Sequence, residues 1–452
     1  MNITVSPAIF SGQIDAPPSK SLTQRAIAAG LLAGGTMVIK NPSFCNDSVA
    51  AIGMARALGA MVTTEDDRII IEAGERPSGQ VFLDCGESGL ALRMFSPVAA
   101  LLSGDVTLNG KGSLLRRPVK MIGDALSQLG VTAATNDGYL PVRLNGKLKG
   151  GRALIDGSSG SQLLTGLLMA LPLAETESRI DVANLTSRPY ISLTLDLLAD
   201  FGIRIENRDF MTFIIPGGQS YHSHEYRVEG DWSGAAFLLV AGAIGGVAGT
   251  IPGDAGETGD FSESIRDAGR NIPSQTDGEH AGRVAVGNLN PDSRQADRAV
   301  MSVLESAGAN VSVSLGRITA SPSHLRAFTF DATDAPDLFP PLAALAAYCD
   351  GVSTIRGVGR LRHKESDRAE AIAGVLEAMR IGVRISGDEM AITGGQVQGA
   401  VVSSHNDHRI AMMAAVMAAG AAAPVTITGA EAVAKSYPGF FEDLARLGGR
   451  IG

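Results

Sequence analysis

Aromatic residues are scarce in this chain, 5% of 452 residues with a single Trp, so a core of this size has to be assembled from Ala, Leu, Val, Ile and Met. The 45% hydrophobic content supplies that core, and the length suggests two or more domains. Cysteine is scarcer still. Cys45, Cys85 and Cys349 are odd in number and far apart, which leaves neither a disulfide framework nor zinc-ligand spacing and points to a reducing, cytoplasmic setting. Positive charge is also in deficit: the formal net charge of −9 excludes a general nucleic-acid binder, so any polyanion site must be local. Long apolar runs are missing as well. The most apolar stretches, 235–247 and 410–424, are short and rich in Ala and Gly, as suits packed core helices rather than membrane spans. No basic flank or apolar h-region opens the sequence, so no signal peptide is expected.

What the chain does contain is repetition. Gly59, Gly130, Gly202, Gly308, Gly382 and Gly448 each close a helical pattern and precede a short β-type stretch, the signature of a helix-to-strand connection with Gly just past the helix end. The spacings between them are 71, 72, 106, 74 and 66 residues, which predicts an internal repeat of about 70 residues. The long interval holds a polar, Gly-rich stretch at about 253–282 that reads as a surface insertion. A unit of this length holds two helices and several strands, so six of them make an α/β protein, three units to a domain.

Polar clusters stand where apolar helical runs begin. The most informative is Arg362-His363-Lys364-Glu365-Ser366-Asp367-Arg368, directly before an apolar run over 369–379. Pro17-Pro18-Ser19-Lys20-Ser21 precedes a run over 22–33, with Ser21 and Gln24 spaced as a capping box. Gly86-Glu87-Ser88-Gly89, Gly157–Gln162, Asp334–Asp337 and Asn406-Asp407-His408-Arg409 occupy the same kind of place. Ser, Asp and Gly there are ordinary helix caps. The cations Lys20, Lys364, Arg368 and Arg409 are not explained by capping, because a cation at a helix N-terminus opposes the macrodipole by up to about 1 kcal/mol. They call for an anion, and Arg117 and Lys435, in loops before two further helices, fit the same need. No Walker-type or Gly-x-Gly-x-x-Gly phosphate loop, no metal-spaced His pair and no nucleophile elbow occurs. The residues thus describe a site for small anions without cofactor or metal, with Glu365 and Asp337 as the proton handlers.

At these residues the chain resembles the 5-enolpyruvylshikimate-3-phosphate synthase family, in order from Ser19-Lys20-Ser21 to Lys435-Ser436-Tyr437-Pro438. The resemblance implies a two-domain inside-out α/β barrel of six βαβαββ repeats, residues 1–18 with 230–452 forming one domain and 19–229 the other, with the active site in the cleft. It implies that enolpyruvyl passes from phosphoenolpyruvate to shikimate 3-phosphate, with no nucleic-acid or membrane partner, in a cytoplasmic monomer. Lys20, Ser21, Arg25, Ser161, Gln162, Ser187, Tyr190, Asp337 and Lys364 would then meet shikimate 3-phosphate. Lys20, Gly89, Arg117, Gln162, Arg368, His408, Arg409 and Lys435 would meet phosphoenolpyruvate. Asp337 would take the proton of the attacking hydroxyl, and Glu365 would handle the proton at the methylene carbon, with Lys20 assisting. Cations spread over both halves of the chain would draw the cleft shut on binding.

The chain departs from the family pattern at Glu87 and Leu90, where Asn and Thr are usual, at Gly160, where a Ser binds the shikimate phosphate, and at Arg360, where Asn is common. A carboxylate at 87 needs a cation such as Arg117 beside it if it is not to repel the donor. Two rival readings are a UDP-N-acetylglucosamine enolpyruvyl transferase, which has Lys-Asn in place of Lys20-Ser21 and a Cys in the 111–118 loop, and a non-catalytic anion-binding homologue. Asp337 and Glu365, kept together with the cations, speak against the second.

Overall fold

The computed structural model describes residues 1–245, 282–314 and 316–452, so the insertion expected at about 253–282 lies, but for its last residue, outside the described residues. The described strands form six four-stranded sheets that share one pairing pattern. In the sheet of Val81–Asp84, Asp105–Asn109, Thr132–Asn136 and Tyr139–Asn145, the first two strands are parallel and the other pairings antiparallel. A parallel pair needs a crossover, and the Gly89–Leu102 helix provides it. The antiparallel pair needs only a tight turn, which Asp137 and Gly138 make with φ of 49° and 85°.

Two of the sheets are completed from the start of the chain. Gly12–Asp15 pairs in parallel with Val284–Gly287, and Asn2–Ser6 lies between Val425–Thr428 and Arg450–Ile451. In the other set of sheets, Glu225–Arg227 returns to pair with Thr36–Lys40. The chain therefore crosses between the two sets twice, side by side: Pro18 bridges Gly230, the Ser19 N–H donates to the Glu229 carbonyl at 2.8 Å, and that of Asp231 donates to Pro17 at 2.7 Å.

Two hydrophobic clusters follow this division. One gathers buried residues between positions 22 and 228, the other residues 5–16 together with 232–447, and Tyr190 packs against both. Trp232–Ile244, Phe339–Ala346 and His408–Met417 are buried almost all round, as helices built of Ala, Leu and Met can be. Close helix approach replaces aromatic bulk: a Cβ at Gly166 would stand 2.4 Å from the Met94 carbonyl in the neighbouring helix.

Gly59, Gly130, Gly202, Gly308 and Gly448 end their helices at φ between 81° and 101°, as expected. Gly382 does not. The left-handed residue after the Arg368–Ala378 helix is Arg380, at φ 62°, and Gly382 already opens a strand. The true intervals on either side of it are 72 and 68 residues, closer to the common period than Gly382 gives.

Candidate active site

Ser19, not Ser21, caps the Lys20–Leu32 helix: its Oγ accepts the Leu22 N–H at 3.4 Å, so the expected capping box does not form. Ser21 instead lines a cavity of about 320 Å³ reached from both halves of the chain, and its buried Oγ has no hydrogen-bond partner among the described residues. Gln24 accepts from Ser88, the cap of the Gly89–Leu102 helix, at 3.0 Å. Lys20 heads its helix and stands 3.1 Å from Asp47. Burial works most strongly against the Lys20 charge, but Asp47 together with Cys45 and Glu365 more than offsets it and the pKa is raised.

The wall from the 230–452 segment is a lattice of opposite charges. Asp407 caps the His408–Met417 helix through the Arg409 N–H at 3.0 Å and also accepts Arg368 Nε at 2.9 Å. Asp367 caps the Arg368–Ala378 helix, and Ser366 donates to Asp407 at 3.1 Å. Arg368 further donates to Asp337 at 2.8 Å and pairs with Glu365. Asp337 also meets Arg409 at 3.1 Å and Lys364 at 3.6 Å. Burial pushes the Asp337 carboxyl up, yet Arg409, Lys364 and Arg368 more than offset this and hold it well below the usual carboxylate range. Glu365 is held low in the same way, with Arg117 and Arg368 overcoming burial. Burial brings Lys364 down to about 8, against the pull of Asp337. His408 is buried and neutral: desolvation, then Arg409 and Lys20, push it well below its ordinary value, and its Nε2 accepts from Arg409 at 2.7 Å.

The facing wall, from 19–229, contains cations held by neutral groups. Arg25 donates to Thr194 at 3.0 Å, to the Ser21 carbonyl at 2.9 Å and to Thr165 at 3.5 Å. Arg93 donates to the Gly89 carbonyl at 3.2 Å, to Gln162 at 3.1 Å and to the Pro118 carbonyl at 3.1 Å. Burial lowers both arginines to about 10, and Arg117 adds to the effect on Arg93. Gly89 is a Gly because the guanidiniums crowd it: a Cβ there would stand 2.6 Å from Arg117 and 2.9 Å from Arg93. Ser161 and Gln162 open the Gln162–Ala170 helix, while Ser187 sits left-handed at φ 59° before the Arg188–Asp200 helix. All three line the cavity.

Several contacts tie the walls together. Arg117 reaches Glu365 at 3.0 Å and the Lys364 carbonyl at 2.9 Å. Glu87 pairs with Lys435 at 2.9 Å, accepts Asn406 Nδ2 at 3.2 Å and holds both Ser113 donors at 2.9 Å. The cation beside Glu87 is thus Lys435 rather than Arg117. At the far end Arg360 crosses to Ser158, Thr186 and Ser187, and Tyr190 donates to Asp297 at 2.8 Å.

The cavity brings together Lys20, Ser21, Arg25, Gly89, Arg117, Ser161, Gln162, Ser187, Tyr190, Asp337, Lys364, Glu365 and Arg409. Arg368, His408 and Lys435 do not line it; they are buried behind that lining. Arg93 and Arg360 supply cations instead, so seven cationic side chains face four carboxylates and the lining is left with an excess of positive charge. Sequence reading missed Arg93, Asp47 and Asp297. Arg93 is the lone charge in the apolar Gly89–Leu102 run, and that interruption is a signal that could have found it. Asp47 passes for an acidic residue of a helix first turn. Asp297 is fully buried, raised to about 6 by desolvation and then by Asp337, and has one oxygen without a hydrogen-bond partner among the described residues. No group of three His, Cys, Asp or Glu among the described residues could hold a metal, and none of their helices is long and apolar enough to cross a membrane.

Ionised carboxylates interleaved with cations, around a buried cavity with spare positive charge, define an enzyme acting on small polyanions by proton transfer. Comparison with known proteins narrows this class. Residues 6–278 and 280–444 match the family described as EPSP synthase (3-phosphoshikimate 1-carboxyvinyltransferase), and the chain belongs to that family. A 3-phosphoshikimate 1-carboxyvinyltransferase of Aeropyrum pernix is 37% identical over 451 residues, covering 99% of this chain and 96% of its own. One from Methanocorpusculum labreanum is 35% identical over 454 residues, covering 99% of each. The EPSP synthase structure from Acinetobacter baumannii superposes with a TM-score of 0.77 at 25% identity, covering 100% of this chain and 99% of that one.

Proposed function

We propose that this protein transfers the enolpyruvyl group of phosphoenolpyruvate to the 5-hydroxyl of shikimate 3-phosphate, releasing phosphate, in the shikimate pathway of aromatic amino-acid biosynthesis. It does so as a cytoplasmic monomer with the architecture of an inside-out α/β barrel. Residues 1–18 with 230–452 make one domain of three βαβαββ units, and 19–229 make the other. The six sheets of one pairing pattern and the paired crossovers at Pro18 and Gly230 support this organisation.

The observation that carries the reading is that Asp337 and Glu365 share Arg368 and both line a cavity with excess positive charge. Asp337, kept ionised by three cations, accepts the hydroxyl proton as that oxygen bonds to C2 of phosphoenolpyruvate. The methylene carbon gains a proton at the same time, delivered through Glu365. Phosphoenolpyruvate on Arg117 neutralises the cation that does most to hold Glu365 low, so substrate binding itself raises the Glu365 pKa towards a useful value. In the second step Glu365 takes back a proton from the methyl carbon, the C–O bond to phosphate breaks, the enol double bond is restored, and the proton held on Asp337 passes to the departing phosphate. Shikimate 3-phosphate lies towards Lys20, Ser21, Arg25, Ser161, Gln162, Ser187, Tyr190 and Lys364, and the donor lies towards Gly89, Arg117, Gln162 and Arg409. Arg368, His408 and Lys435 act on the donor through the residues they orient. Contacts across the cleft exclude water that would hydrolyse the tetrahedral intermediate.

Glu365→Gln is expected to bind both substrates and to lower turnover by about 10²-fold or more, measured as phosphate release from phosphoenolpyruvate with shikimate 3-phosphate. Near-normal turnover would overturn the assignment. Phosphate release with UDP-N-acetylglucosamine, and none with shikimate 3-phosphate, would redirect it to the sister enzyme.

A further inference from the structure

Two departures from the family pattern, far apart in sequence, meet in space. Gly160 adopts φ +121°, a conformation that L side chains rarely take, so position 160 cannot present the Ser hydroxyl that the pattern calls for. A Cβ built there would stand 3.4 Å from Nη2 of Arg360, which comes from the opposite wall. We propose that Arg360 is a binding residue for the 3-phosphate of the acceptor, replacing with a guanidinium the contact that a side chain at 160 cannot make. This rests on the reaction proposed above.

Arg360 ends the Val358–Arg360 turn and lines the cavity beside Ser158, Ser159, Ser161 and Ser187. Its Nη1 donates to the Ser158 carbonyl at 2.7 Å and to Thr186 Oγ1, and its Nη2 donates to Ser187 Oγ at 3.1 Å. Nε is buried without a hydrogen-bond partner among the described residues. Among those residues no carboxylate lies within ion-pair distance of this guanidinium. Asp334, one candidate, is turned to the backbone, accepting the Ser187 N–H at 2.6 Å and that of Arg188 at 3.4 Å. A cation held in place by neutral acceptors, with unused donors and the hydroxyls of Ser159, Ser161 and Ser187 on the same cavity lining, is arranged for a phosphate: the fork fixes orientation and the charge is not already spent. Because Arg360 belongs to one wall and its serines to the other, the same phosphate also joins the two halves of the chain.

The test uses the full-length enzyme and compares shikimate 3-phosphate with shikimate, the same acceptor without the phosphate. Arg360→Gln is expected to raise KM for shikimate 3-phosphate by roughly 10- to 100-fold. The inhibition constant of shikimate as a competitor should stay within about twofold, and Arg360→Lys, a point charge without the fork, should recover only part of the loss. Equal weakening of the two acceptors would mean that Arg360 only supports the fold, and an unchanged KM for shikimate 3-phosphate would equally overturn the proposal. If the wild-type enzyme releases no phosphate with shikimate 3-phosphate, the reaction assignment itself fails and this inference falls with it.

Discussion

Arg368 opens one helix and Arg25 lies one turn into another, on opposite walls of one site, and they are 0% and 1% exposed. Arg368 is met by three carboxylates, Asp407, Asp337 and Glu365. Arg25 is met by two hydroxyls and a carbonyl. Burial acts against both charges. On Arg368 the three carboxylates more than offset it, whereas Arg25 is lowered to about 10. One wall therefore neutralises itself and can keep carboxylates ionised for proton transfer, while the other keeps positive charge available for a ligand. The carboxylates proposed for proton transfer thus stand on one wall, and Lys364, Arg360 and Arg409 of that same wall join Arg25 and Arg93 of the other in lining the cavity with positive charge.

The largest test of this contrast is stability. Arg368→Met leaves three carboxylates without their shared cation and should cost about 3–5 kcal/mol in urea unfolding, whereas Arg25→Met removes an uncompensated charge and should cost less than about 1 kcal/mol. Equal losses would erase the distinction between the walls. Next in size is the pH dependence carried by Lys364. Its pKa is lowered to about 8, chiefly by burial, so its charge is present below that pH and lost as pH rises through it. kcat/KM should then fall by up to about tenfold per pH unit above 8, and Lys364→Gln, although weak throughout, should show no such limb. A limb unchanged in the variant would place the titration elsewhere. Smallest is Gly89→Ala, whose Cβ presses on Arg117, which is paired with Glu365, and on Arg93, which is held by neutral acceptors. KM for phosphoenolpyruvate should rise by about 5- to 10-fold while unfolding shifts by less than about 1 kcal/mol. A large loss of stability would mean that Gly89 serves packing rather than the arginines.

Much of this was legible in the sequence because helix entrances and exits have local causes. Gly59, Gly130, Gly202, Gly308 and Gly448 announced their turns, and the polar clusters before apolar runs located most of the cavity. Arg380 was illegible for a local reason too: a non-glycine residue took the left-handed position and a nearby Gly drew attention away from it. The cap of the Lys20–Leu32 helix was shifted by two residues because Ser19 and Ser21 are chemically equivalent candidates. The rest was hidden because it is made across the cleft. Nothing near Glu87 in sequence reveals Lys435, nothing near Gly160 reveals Arg360, and no local pattern separates Arg368 behind the lining from Arg409 on it.

The placement of Asn2–Ser6 has a consequence for how the molecule is made. This strand is made long before both of its partners, Val425–Thr428 and Arg450–Ile451. At roughly 5–20 residues per second, it waits on the order of tens of seconds with its hydrogen-bonding edges unsatisfied. Among the described residues the strands between Thr36 and Arg227 pair only with one another, so their sheets can close as soon as that stretch has emerged. The middle of the sequence is thus free to close before the outer segments, which find their places together once the late strands are made.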